Sequence, residues 1–382
     1  MLFILAHTGH HLVASLLTPL LPFIRDDFGM TYTQTGWIVS AFSLTYGISN
    51  LPGGWLADRI GPRTVVTIGV AGVALAGILA ALSVNMIMLA LFLTLMGISG
   101  GGYHPSAAPL ISASVQPERR GWALGLHQVG GSTSFFIAPL LAAGIAGVLG
   151  WRGAFITVAI PTLIFGLVFY IILGRLEQDN GTGMTDQPIG RHDDDGEKGL
   201  SLPHLIAIIV MGIASMTLIM STTYFVPLYA VDNYGISDKI AAASITVYFL
   251  GGVWGGPLGG YLADRLGKIS VILMAGLIGA PTIFLLNLAP FGIAFYAVLV
   301  LLGTLLNMGL PVVEAYIMDC CPDRHRSKVL GIYYSGSRGG AGVGAPILGY
   351  LIDQYGFFTG FSIIAGTLAA VTLVCTVMLW RR

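Results

Sequence analysis

One offset organises this chain. The segment GGWLADRIG at Gly53 to Gly61 returns as GGYLADRLG at Gly259 to Gly267. Gly54, Asp58, Arg59 and Gly61 thereby become Gly260, Asp264, Arg265 and Gly267, each 206 positions later. The same shift carries Asp26 to Asp232, Phe28-Gly29 to Tyr234-Gly235, Gly97 to Gly303, Pro105 to Pro311 and Gly125 to Gly331. A single offset that holds across most of each half marks an internal duplication, so the fold is two copies of one unit.

Composition says where the unit lives. Hydrophobic residues make up 55 % of the 382 positions and charged ones 9 %, against about 25 % charged in soluble domains. Stretches of about 20 residues without a charge recur, each long enough to cross the apolar core of a bilayer. Gly is frequent at 53 residues, which suits close helix packing in lipid. We expect an all-α membrane protein. Its first six spans fall near 2–24, 35–57, 64–82, 86–114, 121–149 and 153–174. Its second six fall near 203–230, 240–263, 269–288, 291–318, 328–352 and 357–380. Residues 1–174 form one six-helix bundle and 203–382 the other. Between them 175–202, rich in Asp, Glu, Gly and Gln, cannot bury an apolar face and reads as a linker. Its His192 to Asp195 run reads as solvated charge.

The apolar segment from Met1 to Ile24 has no basic region before it and reads as a retained helix, not a cleaved signal. Met1 matches Ala207 in the repeat although helix 7 begins near Pro203, so we expect the native N-terminus to extend upstream. With the N-terminus placed in the cytoplasm, 14 of the 18 basic residues fall on the cytoplasmic side and only Arg25, Lys239 and Arg152 on the other. Arg338 lies within a helix. This bias predicts an inner-membrane protein with both termini cytoplasmic.

Several classes are excluded. Net charge is zero and no basic patch exists for nucleic acid. Cys320, Cys321 and Cys375 match neither a disulfide framework nor a zinc pattern. No GxxxxGK[ST] loop is present, which disfavours an ATP-driven pump. We expect no enzyme activity, no cofactor and a monomer.

The run from Gly54 to Arg63 closely resembles the signature loop between helices 2 and 3 of the major facilitator superfamily, and Gly260 to Lys268 its second copy. The resemblance covers the whole chain. It implies two bundles that rock about a central cavity. Asp58, where helix 2 leaves the membrane, can meet the positive end of a helix in the opposite half, near Ser327, and latch that side shut. Gly54 and Gly61 permit close approach and a tight turn, and Arg59 and Arg63 with Arg265 complete the two gating loops.

A finer resemblance lies in YHPSAAPL at Tyr103 to Leu110 and in Gln128-Val129-Gly130-Gly131. Both are similar to fosmidomycin-resistance-type efflux transporters, as is the N-terminal HTGHHLVASLLTPLLP, although His10 and His11 depart from that family's first helix. Ala138-Pro139 with Ala142-Ala143 resembles the Gly-Pro motif of drug–proton antiporters. The resemblance implies export coupled to protons.

Ionisable groups at bilayer depth are costly and therefore candidates for function. Arg338 lies about 12 residues beyond Arg326, roughly 18 Å along a helix, near the midplane. It can read an anion through its fork of donors, with Glu314 neutralising it in the empty state or carrying a proton. His104 and His127 suit a hydrated proton relay. His7, His10 and His11 share one helical face. No Cys or carboxylate at matching depth completes a ligand set, so they read as cavity-lining groups, not as metal ligands. The expected function is proton-coupled export of a small organic or anionic compound. An anion exchanger or importer is the alternative on the same fold. A membrane sensor or an intramembrane metalloenzyme are the alternatives of another class.

Overall fold

The computed structural model describes residues 1–179, 202–321 and 323–380. The His192 to Asp195 run lies outside the described residues, as do the side chains of 323–327. Eight helical stretches are long and apolar enough to cross a bilayer. Two of these, Arg120–Leu176 and Lys328–Leu379, are each two spans joined at a kink. With the broken helix of Leu2–Ala14 and Leu17–Phe28, and with Tyr32–Ile60, they make twelve spans among the described residues.

We number them in chain order. α1 is Leu2–Ala14 continued by Leu17–Phe28, and α2 is Tyr32–Ile60. α3 runs Pro62–Ala81, and α4 joins Met86–Gly101 to Tyr103–Ala113. α5 and α6 are 120–149 and 151–179. α7 is Leu202–Tyr234, α8 Asp238–Leu266, α9 Lys268–Leu285 and α10 Ile293–Cys320. α11 and α12 are 323–355 and 357–380. Helix thus continues past Arg175 to Asp179, and α11 begins at Asp323, earlier than the sequence suggested.

The duplication is written into the backbone. Positive φ angles occur at Gly29, Gly61 and Gly150, and again at Gly235, Gly267 and Gly356. Every pair is offset by 206. At these turns a Cβ would collide with the backbone, so glycine ends one helix and lets the next reverse. Gly292 is the one positive-φ glycine without a counterpart among the described residues.

Packing repeats as well. A Cβ on Gly97 of α4 would meet the Phe42 carbonyl oxygen of α2 at 2.5 Å. On Gly303 of α10 it would meet the Tyr248 carbonyl oxygen of α8 at 1.8 Å. In lipid, where no hydrophobic effect drives helices together, such backbone approach supplies the dispersion contact. The halves meet along α2 and α11 by the same device. A Cβ on Gly47 would fall 2.4 Å from the Gly339 nitrogen, and one on Gly349 2.2 Å from the Tyr32 carbonyl oxygen.

The bundle has two ends. At the Arg59 end, Arg59 lies 3.9 Å over the Trp55 ring and Arg265 4.5 Å over the Tyr261 ring, the same contact in both copies. At the Arg25 end, the halves are tied by an ion pair and hydrogen bonds. Arg25 of α1 grips Asp232 of α7. Asp353 of α11 accepts from the backbone amides of Tyr32 and Thr33 at 2.9 and 2.8 Å, capping the first turn of α2.

Candidate functional site

The histidines converge. α1 is broken at Ser15 and Leu16, and its first segment places His7, His10 and His11 on the buried face of the N-terminal bundle. α4 breaks at Gly102, and its second segment opens with Tyr103 and His104. α5 brings His127. The rings stack: His7 on His127 at 4.0 Å between centroids, and His10 on Tyr103 at 4.5 Å. Sequence reading placed these five in the membrane but did not join them. Joining residues 7, 104 and 127 depends on how three helices cross, which spacing along the chain does not encode.

Glycines make room for the cluster. A Cβ on Gly131 would lie 2.6 Å from the His7 ring, one on Gly100 2.9 Å from Tyr46, and one on Gly69 2.8 Å from Tyr103. A Cβ on Gly130 would meet the Ile4 carbonyl oxygen at 2.5 Å. The Gln-Val-Gly-Gly motif therefore admits the backbone of α1 and the ring of His7. Gln128 of the same motif is exposed, whereas His127 beside it is buried.

Hydrogen bonds fix three tautomers. A carbonyl oxygen only accepts, so a ring nitrogen bonded to one carries the proton. His7 Nδ1 donates to the His127 carbonyl at 2.7 Å, His10 Nδ1 to Gly69 at 2.7 Å, and His127 Nδ1 to Phe3 at 3.0 Å. Gly69 sits in a π-helical turn of α3, Ile68–Gly72, which shifts its carbonyls out of the α register. Their Nε2 atoms are then lone-pair acceptors. That of His10 lies 3.2 Å from the Tyr46 hydroxyl. His11 Nε2 faces His104 Nε2 at 3.2 Å. Tyr46 went unnoticed in the sequence, where nothing separates it from other tyrosines, and Tyr103 entered only as the first residue of the YHPSAAPL run.

Arg338 reaches across from the other half. It is half-buried on α11 and lies within electrostatic reach of His7, His10, His11, His104 and Tyr46. It is also within reach of Glu314, which is half-buried on α10 and faces Tyr334. The expected Glu314–Arg338 salt bridge is not formed: among the described residues no ion pair joins the two. The carboxylate is hydrogen-bonded to Tyr334 instead, and Tyr333 and Tyr334 lie within electrostatic reach of both charges.

The gating loops are peripheral. Asp58 and Asp264 are exposed, Gly61 and Gly267 adopt φ of 85°, and neither Gly54 nor Gly260 is tightly packed. Arg63 lies 3.9 Å over the Tyr170 ring of α6 and donates to the Tyr170 carbonyl. The expected latch partner near Ser327 falls among the side chains outside the described residues.

The Major Facilitator Superfamily family model matches residues 3–245 and 205–382. A probable sulfoacetate transporter, SauU, of Cupriavidus necator is 26 % identical, over 92 % of this chain and 86 % of its own. A glycerol-3-phosphate transporter of Bacillus subtilis is 23 % identical, with 97 % and 90 % covered. Multidrug resistance protein MdtG of a Rahnella species is 26 % identical, with 92 % and 86 % covered. In fold, a bacterial homologue of the human lysosomal transporter Spinster, inward-facing and occupied, superposes with a TM-score of 0.80 at 16 % identity, covering 99 % of this chain and 94 % of that one.

Proposed function

The chain belongs to the Major Facilitator Superfamily and is a multi-pass membrane transporter of that type, and from this premise we propose that it exports a small anionic organic compound in exchange for protons. Arg338 carries the reading. A guanidinium reaching from one half toward a polar, histidine-lined wall in the other is where a charged cargo can bind both halves at once. Two relatives bear the names of anion carriers, for sulfoacetate and glycerol-3-phosphate, which supports the substrate class. The MdtG relative and the fosmidomycin-resistance-type motifs support export.

Glu314 is the proton carrier in this scheme. It is the carboxylate nearest Arg338's surroundings, and substrate binding at Arg338 changes the charge it feels. Ties between the halves at the Arg25 end favour a cavity reached from the Arg59 end. By the distribution of basic residues that end is cytoplasmic, both termini included, in the inner membrane. Asp58 latches it shut in the opposite state, and one chain suffices for the cycle.

The experiment is flux in proteoliposomes. Sulfonates, phosphate monoesters, carboxylates, neutral sugars and cationic drugs are offered with and without a pH gradient. Uphill movement of an anion driven by protons is the expected result. Movement of neutral or cationic compounds only would refute the anion reading, and anion exchange indifferent to pH would refute the coupling.

A further inference from the structure

The histidine cluster has a feature that transport of an organic anion does not use. One ring nitrogen from each of His7, His11 and His104 lies within 4.8 Å of the other two, and His11 and His104 face each other through Nε2. We propose that His7, His11 and His104 form a three-imidazole site for a divalent transition metal of the Zn²⁺ class, inside the N-terminal bundle.

Chemistry and geometry agree on these three. Zn²⁺ binds imidazole nitrogen at about 2.0–2.1 Å, which sets two nitrogens on a tetrahedral ion about 3.4 Å apart. His11 and His104 already stand at 3.2 Å. Two neutral imidazoles facing through Nε2 need either one shared proton or an ion between them.

His7 supplies the independent observation. It is only 2 % exposed, and its Nε2 has no hydrogen-bond partner. Because Nδ1 donates to the His127 carbonyl, Nε2 is a bare lone pair. A buried acceptor with no donor is destabilising. A metal would satisfy it. The Nδ1–H···O=C bond is also the outer contact that orients metal-bound imidazoles. Gly131 leaves space at the Nε2 edge, where a Cβ would stand 2.8 Å away.

The neighbours sort themselves out. His10 has both nitrogens engaged, by Gly69 and Tyr46, so it is not a ligand. His127 donates to Phe3 and supports His7 through its carbonyl. Arg338 lies within electrostatic reach of all three ligands and works against a dication. Its charge therefore marks the site: an ion bound there must feel it.

The probe is Co²⁺ titrated into the purified full chain, read by its visible absorption. Three imidazoles in a four-coordinate set give a strong d–d band at one equivalent. His11→Gln and His104→Gln should each lower affinity by more than about tenfold, and Arg338→Gln should raise it. His104→Cys should keep the ion and add a thiolate charge-transfer band, which preserves the test if His104→Gln misfolds. His192→Ala and Cys320→Ser should change nothing. Absence of a stoichiometric band overturns the site. So does loss of binding in His192→Ala or Cys320→Ser, or an affinity indifferent to Arg338→Gln. Transport enters none of these readouts, so the metal site and the anion reading stand or fall separately.

Discussion

Arg25 Nη2 donates to Asp232 Oδ1 at 3.0 Å, joining the end of α1 to the end of α7. The Tyr32 hydroxyl donates to the same carboxylate from the start of α2. Asp232 is the repeat counterpart of Asp26, whereas Arg25 has no basic counterpart, since Val231 stands there. The duplicated carboxylate has thus become one half of a tie between the bundles.

Removing the tie should open that end. Arg25→Ala leaves Asp232 without its charge-assisted partner, at a cost of about 1–2 kcal/mol for a partly exposed pair. That is enough to shift a two-state balance roughly five- to thirtyfold. Nitroxides at Val84→Cys and Leu288→Cys report it, because both positions are exposed at the Arg25 end, one in each half. Their distance distribution should gain a longer component. An unchanged distribution would mean that the Asp353 cap, the Tyr32–Asp232 hydrogen bond and the glycine contacts of α2 and α11 hold this end without Arg25.

Stability should follow the repeated glycines. Gly303→Ala forces a methyl to 1.8 Å from the Tyr248 carbonyl oxygen, and Gly97→Ala to 2.5 Å from that of Phe42. Backbone cannot yield as a side chain can, so each should cost about 1–3 kcal/mol or more, with Gly303→Ala the worse. Gly260→Ala has nothing within 4 Å and serves as the control. Thermal unfolding in detergent ranks the three. Equal melting temperatures for Gly303→Ala and Gly260→Ala would contradict the packing.

Much of this was legible in the sequence, and for a physical reason. An offset that maps Gly61 onto Gly267 maps one turn onto another, because a positive φ admits little but glycine. Charge-free runs reveal spans because the bilayer offers no other partner to the backbone. Arg338 stood out because a cation at that depth is rare. The site itself was less visible. His104 joins His11 only because α4 breaks at Gly102 and presses on α2 through Gly97 and Gly101. The expected Glu314–Arg338 pair failed for a related reason: matching depth on two helices does not fix which way each side chain turns, and Tyr334 took the place beside the carboxylate.

The latch at the Arg59 end should depend on charge. Asp58 is exposed in this structure, as expected if its partner is met only when that end closes. Asp58→Asn removes the charge that the proposed latch would bring to a helix terminus, an interaction of about 0.3–1 kcal/mol. Cysteine accessibility at the Arg59 end should rise and flux should fall by roughly two- to fivefold. Wild-type accessibility and flux in Asp58→Asn would show that the loop is an ordinary turn.

Proton coupling should fail at Glu314 without loss of binding. Glu314→Gln keeps the shape beside Tyr334 but cannot release a proton. Uphill transport driven by a pH gradient should stop, while exchange of substrate across the membrane continues. If uphill transport survives, the coupling proton travels by another group, and Glu314 is only a polar neighbour of Tyr334.

Arg338 should read the negative charge of the cargo. Its repeat counterpart is Ser132, so the cation departs from the duplicated plan. Its flanks, SGSRGGAG, are small, and Gly339 and Gly342 are spent on contact with α2 at Gly47 and Leu44. In this state the guanidinium therefore sits beside a close crossing between the two halves, and among the described residues no ion pair joins it to Glu314. A bidentate anion would engage that fork directly. Arg338→Lys keeps the charge but offers a point donor, so affinity for a carboxylate, sulfonate or phosphate should drop by about tenfold. Arg338→Ala should lose the anion altogether and still fold, because no ion pair among the described residues depends on it. Ligand-induced thermal shifts on the three proteins make the comparison, since at a fixed ligand concentration a bound ligand stabilises the fold more the tighter it binds. Anion shifts equal in wild type and Arg338→Lys would show that recognition rests on charge alone, and anion shifts retained in Arg338→Ala would remove Arg338 from the binding site.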